Sequence, residues 1–139
     1  MKNISVNKKI EFIRDAALAK KAKDVALLDL REFATISDYF ILASGESITQ
    51  IETIADNIEK ELSLKDCRVW HREGNGEARW ILLDYGDIVV HVFHKETRDF
   101  YDLDKLWHDS PRRDLEVRSS GKKKKRPAPS EAKSKKYKR

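Results

Sequence analysis

The chain has 139 residues, of which 40% are hydrophobic and 38% are charged, and its formal net charge is +5 at pH 7. This length and apolar content predict one domain with a single modest core. The one cysteine, Cys67, excludes an internal disulfide and is too little for a zinc site, so we expect a small buried thiol in a reducing, cytoplasmic compartment. No run of about 18 uncharged apolar residues is present, which predicts neither a membrane span nor a membrane partner.

The charge is distributed unevenly along the chain. Residues 118–139 contain 11 lysines and arginines against a single acid, Glu131, which leaves 18 basic and 23 acidic residues, a net charge of about −5, in residues 1–117. We therefore predict a folded acidic domain over residues 1–117, which is steered toward a basic partner. Residues 118–139, the basic tail, are expected to be disordered in isolation, because like charges and two prolines cannot repay the entropy of ordering.

The first half of the chain predicts two helices and two strands. Between Asn7 and Lys23 apolar residues recur three and four positions apart, which indicates an amphipathic helix. Val25 to Leu30 and Tyr39 to Ala43 are typical of short strands joined by a bend. A second helix is expected to begin at Ser47, because Gln50 follows three residues later in the pattern of a capping box.

The second half predicts three more strands and two short helical turns. The strands are expected at Cys67 to Arg72, Arg79 to Asp84 and Ile88 to His94. The helical turns are expected at Thr97 to Tyr101 and Leu103 to Trp107. Gly74, Asn75 and Gly76 are expected to form a turn, Asp102 to cap the last helical turn, and Pro111 to end it. The element order α-β-β-α-β-β-β-α indicates an α+β or α/β fold with a mixed sheet of about five strands covered by helices.

Groups that could carry chemistry have simpler explanations. His91 and His94 lie three apart on one strand and point to opposite faces, so one metal ion cannot easily bind both. Asp84 and Asp87 flank a tight turn, where aspartate has ordinary conformational reasons to occur. Residues 44–47 precede a helix but lack the lysine and further glycines of a phosphate-binding loop. We therefore predict no catalytic residue, no metal and no cofactor.

Aromatic residues are concentrated in the C-terminal half. Phe93 and Trp107 are expected in the core. Trp80 follows a polar loop and Tyr85 lies in a turn, so both could stand at an exposed end of the sheet, beside Asp87. An exposed aromatic beside a charge is a good interface anchor, and for Trp80 the interface and core interpretations remain open.

Two sequence motifs closely resemble the ribosomal silencing factor family, also called the Iojap-like proteins. The first is Ser37-Asp38-Tyr39-Phe40 followed by Gly45-Glu46-Ser47-Ile48-Thr49-Gln50. The second runs from Trp80 to Phe93, through a leucine-aspartate-tyrosine-glycine-aspartate turn and a valine-histidine-valine strand, and continues with Arg98, Tyr101, Leu106 and Trp107. The resemblance covers roughly residues 5–111.

This resemblance implies a fold like that of the nucleotidyltransferases without their catalytic acids, and a binding function rather than an enzymatic one. Family members bind the fourteenth protein of the large ribosomal subunit and sterically keep the small subunit from joining, which represses translation. By the same resemblance, the contact residues are expected to be Trp80, Ile81, Tyr85, Asp87, His91, Arg98 and Tyr101.

Two other function classes remain open from the sequence. One is a nucleotidyltransferase-like enzyme, which nucleotide and magnesium titration would reveal through saturable turnover. The other is a general RNA-binding module that uses the basic tail, with phosphate contacts from Lys122, Lys123, Lys124, Lys125 and Arg126. In the ribosome-binding interpretation the same tail residues would contact ribosomal RNA, and a homodimer of the free protein is a further expectation.

Overall fold

The computed structural model describes residues 4–33, 37–74 and 77–116. The expectations for the basic tail, and for Asn75 and Gly76 in the predicted turn, lie outside these residues. In the part of the chain that is described, no helix has the length and apolar character needed to cross a membrane.

Four helices and six strands form within the described residues, and most of the predicted elements have bounds close to those expected. The strand expected at Cys67 to Arg72 is the exception, since it forms only over His71–Glu73. The helices are α1 Val6–Ala19, α2 Ile48–Ser63, α3 Lys95–Tyr101 and α4 Leu103–Leu106. The strands are β1 Lys23–Asp29, β2 Tyr39–Gly45, β3 His71–Glu73, β4 Trp80–Asp84, β5 Ile88–His94 and β6 Arg112–Asp114.

The strands form a single mixed sheet in the order β3-β4-β5-β2-β1-β6. β2 and β5 are parallel, and every other pair of neighbours is antiparallel. A mixed sheet covered by helices is therefore confirmed, with six strands rather than five. The additional strand, β6, was not predicted because Arg112–Asp114 has no apolar alternation and is held by pairing with β1 alone.

One face of the sheet is covered by α1 and α2 and is called the helical face below. Strand side chains that point to this face include Ile41, Ile81, Leu83, Val90 and Val92, all fully buried. The α2 residues that meet them lie at helical spacing, which is the amphipathic pattern that predicted the helix. This layer contains most of the apolar core.

The opposite face of the sheet carries a smaller core and is called the aromatic face. Leu28, Leu30, Leu42 and Phe93 are buried there, and Phe33, Phe40, Trp80, Leu103 and Trp107 pack against them. The Trp107 ring meets those of Phe33 and Phe40 edge to face, with centroids 5.6 and 6.0 Å apart. The expected core position of Phe93 is therefore confirmed, and Trp107 packs against this core as a partly buried residue.

Gln50 joins the two large helices. Ser47 Oγ accepts from the Gln50 amide at 3.0 Å, which confirms the predicted cap, and Gln50 Oε1 accepts from the Glu46 amide at 2.7 Å. Gln50 Nε2 also donates to the carbonyls of Lys20 and Lys21, both at 3.1 Å, at the end of α1. The Glu46 amide, which a phosphate at this helix end would need, is thus already bound within the chain.

Candidate partner-binding surface

Two of the seven predicted contact residues, Ile81 and Tyr85, are in the core of the helical face. Ile81 is 0% exposed, because strand alternation turns it away from its neighbour Trp80. Tyr85 is also buried, burial raises the pKa of its phenol, and its hydroxyl has no hydrogen-bond partner among the described residues. The expectation that these two side chains contact a partner is therefore corrected: both are core residues.

Arg98 is likewise buried, and it fixes α3 to the sheet. Its Nη1 donates to the Asp24 carbonyl at 2.7 Å and to Ser44 Oγ at 2.9 Å. Its Nε and Nη2 donate to the two carboxylate oxygens of Asp104, both at 3.0 Å, and Arg112 donates to the same carboxylate at 2.7 Å. Bidentate pairing of this kind fixes geometry. Arg98 is therefore a structural clamp rather than the contact residue that the resemblance implied.

Burial of Asp104 would by itself raise the pKa of its carboxyl. The hydrogen bonds and positive charge of Arg98, with those of Arg112, outweigh burial and lower the pKa to about 2. Asp104 is therefore ionised at neutral pH, and it neutralises the buried guanidinium of Arg98.

Asp87 lies at the other end of the sheet from Trp80. Its carboxylate accepts from Lys9 Nζ at 3.0 and 3.1 Å, which ties the β4–β5 turn to α1. Asp84 Oδ1 accepts from the Gly86 amide at 2.8 Å, and Gly86 has a φ of +91°. Turn chemistry therefore explains Asp84, whereas the Asp87 carboxylate pairs with Lys9, and Asp87 does not share a surface with Trp80.

His91 is only 4% exposed, so it too is corrected from a contact residue to a buried one. It lies on the aromatic face, and its Nδ1 accepts a hydrogen bond from Trp80 Nε1 at 3.0 Å. His94 instead ends β5, and its Nδ1 accepts from the Glu96 amide at 3.2 Å as the cap of α3. The two imidazoles have separate partners, and no cluster of three or more metal-ligating side chains occurs among the described residues.

Trp80 and Tyr101 are the predicted residues that remain reachable from solvent on the aromatic face. Trp80 is partly buried, with its ring centroid 4.7 Å from Phe93 and 5.0 Å from Tyr101. Tyr101 is 54% exposed, and Phe100 and Leu106 are more exposed still. We call the set of Trp80, Phe100, Tyr101 and Leu106 the Trp80 surface.

Sequence reasoning missed Phe100 as a surface residue. The signal was available, because Phe100 and Tyr101 are adjacent on a helix and cannot both face the sheet. Phe100, Tyr101 and Leu106 line a shallow cleft of about 410 Å³, together with charged residues that include Asp99 and Asp102. Interfaces between proteins commonly combine apolar and charged side chains in this way.

Asp102 shapes this cleft through its backbone. It ends α3 in the left-handed conformation with a φ of +51° and begins α4, where its side chain accepts from the Lys105 amide at 3.1 Å. The predicted cap is therefore confirmed. The sharp change of direction between the two short helices leaves Phe100 and Leu106 on the outside of the molecule.

Comparison with known proteins agrees with these features. A family model described as ribosomal silencing factor during starvation matches residues 3–139. The ribosomal silencing factor of Bacillus subtilis is 43% identical over 97 residues, which cover 70% of this chain and 82% of that protein. A crystal structure of a Chromobacterium violaceum protein matches with a TM-score of 0.73 and 28% identity, over 76% of this chain and 88% of that one.

A more distant relative comes from mouse. The protein named mitochondrial assembly of ribosomal large subunit protein 1 is 27% identical over 101 residues, which cover 70% of this chain and 44% of that protein. The match to the family model spans almost the whole sequence, and the Bacillus subtilis relative covers more than two thirds of it. On this evidence the chain belongs to the ribosomal silencing factor family.

Proposed function

We propose that this protein represses translation by binding the large ribosomal subunit through its fourteenth protein and sterically blocking the small subunit from joining. Membership of the ribosomal silencing factor family is the observation that carries the proposal, since it supports a ribosome-associated role in silencing translation. The mouse relative, named for assembly of the ribosomal large subunit, supports the choice of subunit. Such a role requires the protein in the compartment of the ribosomes, here the cytoplasm.

The Trp80 surface is the part of the molecule best suited to the contact. Its four side chains are large and apolar, and Phe100 and Tyr101 meet edge to face with centroids 5.0 Å apart. Aromatic anchors of this kind contribute most of the binding free energy in interfaces of ordinary size. Trp80 is partly buried between Phe93 and Tyr101, so little conformational entropy is left to lose when a partner covers it.

The charge of the domain favours a basic partner. Residues 1–117 carry 18 basic and 23 acidic residues, and the cleft on the Trp80 surface is lined by Asp99 and Asp102 with one lysine, Lys105. Ribosomal proteins are generally basic, so the long-range field would speed association and would depend on salt.

Steric occlusion requires no reacting group, and the side chains that could have formed a catalytic site have structural roles instead. The helix end that resembled a phosphate site is filled by Gln50, and the carboxylates of Asp84 and Asp87 are used within the fold. We therefore propose that the protein is not an enzyme. Saturable turnover in a nucleotide and magnesium titration would overturn that part of the proposal.

The basic tail is proposed to assist binding through phosphate contacts to ribosomal RNA, with Lys122 to Arg126 as the densest run of charge. If binding were driven by the tail alone, the protein would be a general RNA-binding module. Bare RNA would then compete fully with large subunits, whereas our proposal expects only weak competition.

Purified large subunits provide the test, with two tryptophan variants that differ in position. Trp80→Ala should weaken binding by about 2 kcal/mol, roughly 30-fold, with the fold intact, because an interface anchor is lost. Trp70→Ala is the matched control: Trp70 is 75% exposed and packs over Gly86, at the end of β4 away from Trp80. Equal affinity of the two variants would contradict the assigned surface, and unfolding of Trp80→Ala would show that Trp80 acts as a core residue.

A further inference from the structure

We infer that His91 is a positioning residue, which holds the indole of Trp80 in the orientation that the ribosomal partner meets. The inference deepens the proposed function and rests on it for the role of Trp80 as an anchor. His91 is buried and cannot touch a partner directly, so its part in binding is indirect.

The Trp80–His91 hydrogen bond has one possible direction. An indole can only donate, so the 3.0 Å contact between Trp80 Nε1 and His91 Nδ1 requires a lone pair on Nδ1. The imidazole must therefore be neutral, with its proton on Nε2. A charged imidazolium would offer an N–H at both ring nitrogens, and the bond would be lost.

The surroundings of His91 keep this acceptor in place. The imidazole lies 4.5 Å from the Phe40 ring centroid at 62°, and it is nearly parallel to Phe93, with an interplanar angle of 11°. Burial lowers the pKa of His91 to about 4, so the ring is neutral at physiological pH and Nδ1 is available to accept.

Among the residues that the structure describes, the other ring contacts of the Trp80 indole are less directional. Its ring is tilted by 37° to Phe93 and by 49° to Tyr101, which is neither parallel stacking nor an edge-to-face arrangement. Apolar packing of this kind is tolerant of rotation, whereas a hydrogen bond weakens steeply as its angle changes. The bond to His91 is therefore the contact that selects one orientation.

The other ring nitrogen of His91 argues against a role in packing alone. Its Nε2 is buried and has no hydrogen-bond partner among the described residues. An unpaired buried N–H is unfavourable, and a leucine or phenylalanine would fill the same space without that cost. The useful atom of His91 is thus Nδ1, and its observed partner is Trp80.

The first test reads the hydrogen bond directly, without ribosomes. Exchange of the indole N–H with solvent, followed by NMR, should be at least tenfold slower for Trp80 than for the exposed Trp70 in the same protein. His91→Leu should remove that difference, and His91→Asn should keep most of it, because the asparagine carbonyl oxygen can replace Nδ1 as the acceptor. Equal exchange of Trp80 and Trp70 in the unmodified protein would overturn the inference.

The second test asks whether the bond matters for binding, and it uses purified large subunits. His91→Leu should weaken binding about tenfold, whereas His91→Asn should stay within about threefold of the unmodified protein. In a Trp80→Phe background, which lacks the indole N–H, His91→Leu should change the affinity less than twofold. Two results would show that His91 is a packing residue only. One is an equal loss of affinity from His91→Leu in both backgrounds, and the other is an equal loss of affinity from His91→Leu and His91→Asn.

The two tests separate this inference from the proposed function. If the unmodified protein does not bind large subunits, the proposed function fails and the role of the bond in binding fails with it. The exchange result still decides whether His91 orients Trp80. If His91→Leu does not fold, His91→Asn and Trp80→Phe carry the test: rapid exchange of Trp80 in His91→Asn, or unchanged affinity of Trp80→Phe, would contradict the inference.

Discussion

The two faces of the sheet use the same strands for different purposes. On the helical face, alternate residues of β2, β4 and β5 are aliphatic and fully buried beneath α1 and α2. On the aromatic face, the corresponding neighbours include Phe40, Trp80, His91 and Phe93, with the short helices α3 and α4 nearby. The helical face maintains the fold, and the aromatic face supports the exposed side chains of the Trp80 surface.

The two faces differ in how far directional polar contacts hold their side chains. Aliphatic packing needs no specific orientation beyond fit, and in the part of the chain that is described the buried cluster of the helical face consists of hydrophobic residues. The aromatic side contains the Arg98 clamp and the Trp80–His91 hydrogen bond. Directional bonds of this kind hold side chains in the one orientation that a partner binds.

The largest expected effect is a difference in stability between alanine variants of two adjacent residues that lie on opposite faces. Ile81→Ala should lower the free energy of unfolding by about 3 kcal/mol, because it leaves a cavity in the helical face. Leu82→Ala, at a partly buried position on the aromatic face, should cost about 1 kcal/mol. Urea denaturation measures both, and equal losses would contradict the division into two faces. Folded Ile81→Ala should still bind large subunits normally.

The Arg98 clamp should have the next largest effect. Asp104→Asn removes a carboxylate that two arginines share, and we expect the free energy of unfolding to fall by about 2 kcal/mol. The same denaturation experiment at pH 7 measures the loss. Arg14→Gln is a suitable control, because the carboxylate partner of Arg14 is the exposed side chain of Asp15. If Arg14→Gln lowers the free energy of unfolding as much as Asp104→Asn does, the clamp has no special role in stability.

The clamp also predicts a pH dependence. The pKa of Asp104 is lowered from 3.8 to about 2 in the folded protein, so its contribution to stability is complete above pH 4. That contribution is lost as pH falls from about 4 to about 2. The free energy of unfolding of Asp104→Asn should therefore fall less steeply across this interval than that of the unmodified protein. Parallel curves would show that Asp104 has an ordinary pKa.

The smallest effect concerns the basic tail. Deleting residues 118–139 should weaken large-subunit binding mainly at low salt, because the contacts are proposed to act by counterion release. The slope of log affinity against log salt should become shallower. An unchanged slope would exclude the tail from phosphate contact, whereas binding by the Trp80 surface would remain.

The amphipathic features of the fold could be predicted from the sequence, because they depend on local periodicity and caps. Ser47 and Gln50 predicted the start of α2, and the alternation of β5 correctly separated His91 from His94. Site residues were harder, since Trp80 and Ile81 were both expected at the contact although neighbours on a strand face opposite ways. Applying that alternation would have excluded one of them. The burial of Arg98 depends on partners 54 and 74 residues away, which no local pattern reveals.

The most direct test of the central claim is the joining of ribosomal subunits, measured by sedimentation with this protein at saturating concentration. The account predicts that large and small subunits remain separate, that Trp80→Ala restores joining at the same concentration, and that Trp70→Ala blocks it as the unmodified protein does. If complete ribosomes form normally while large subunits are saturated with the protein, steric occlusion is contradicted.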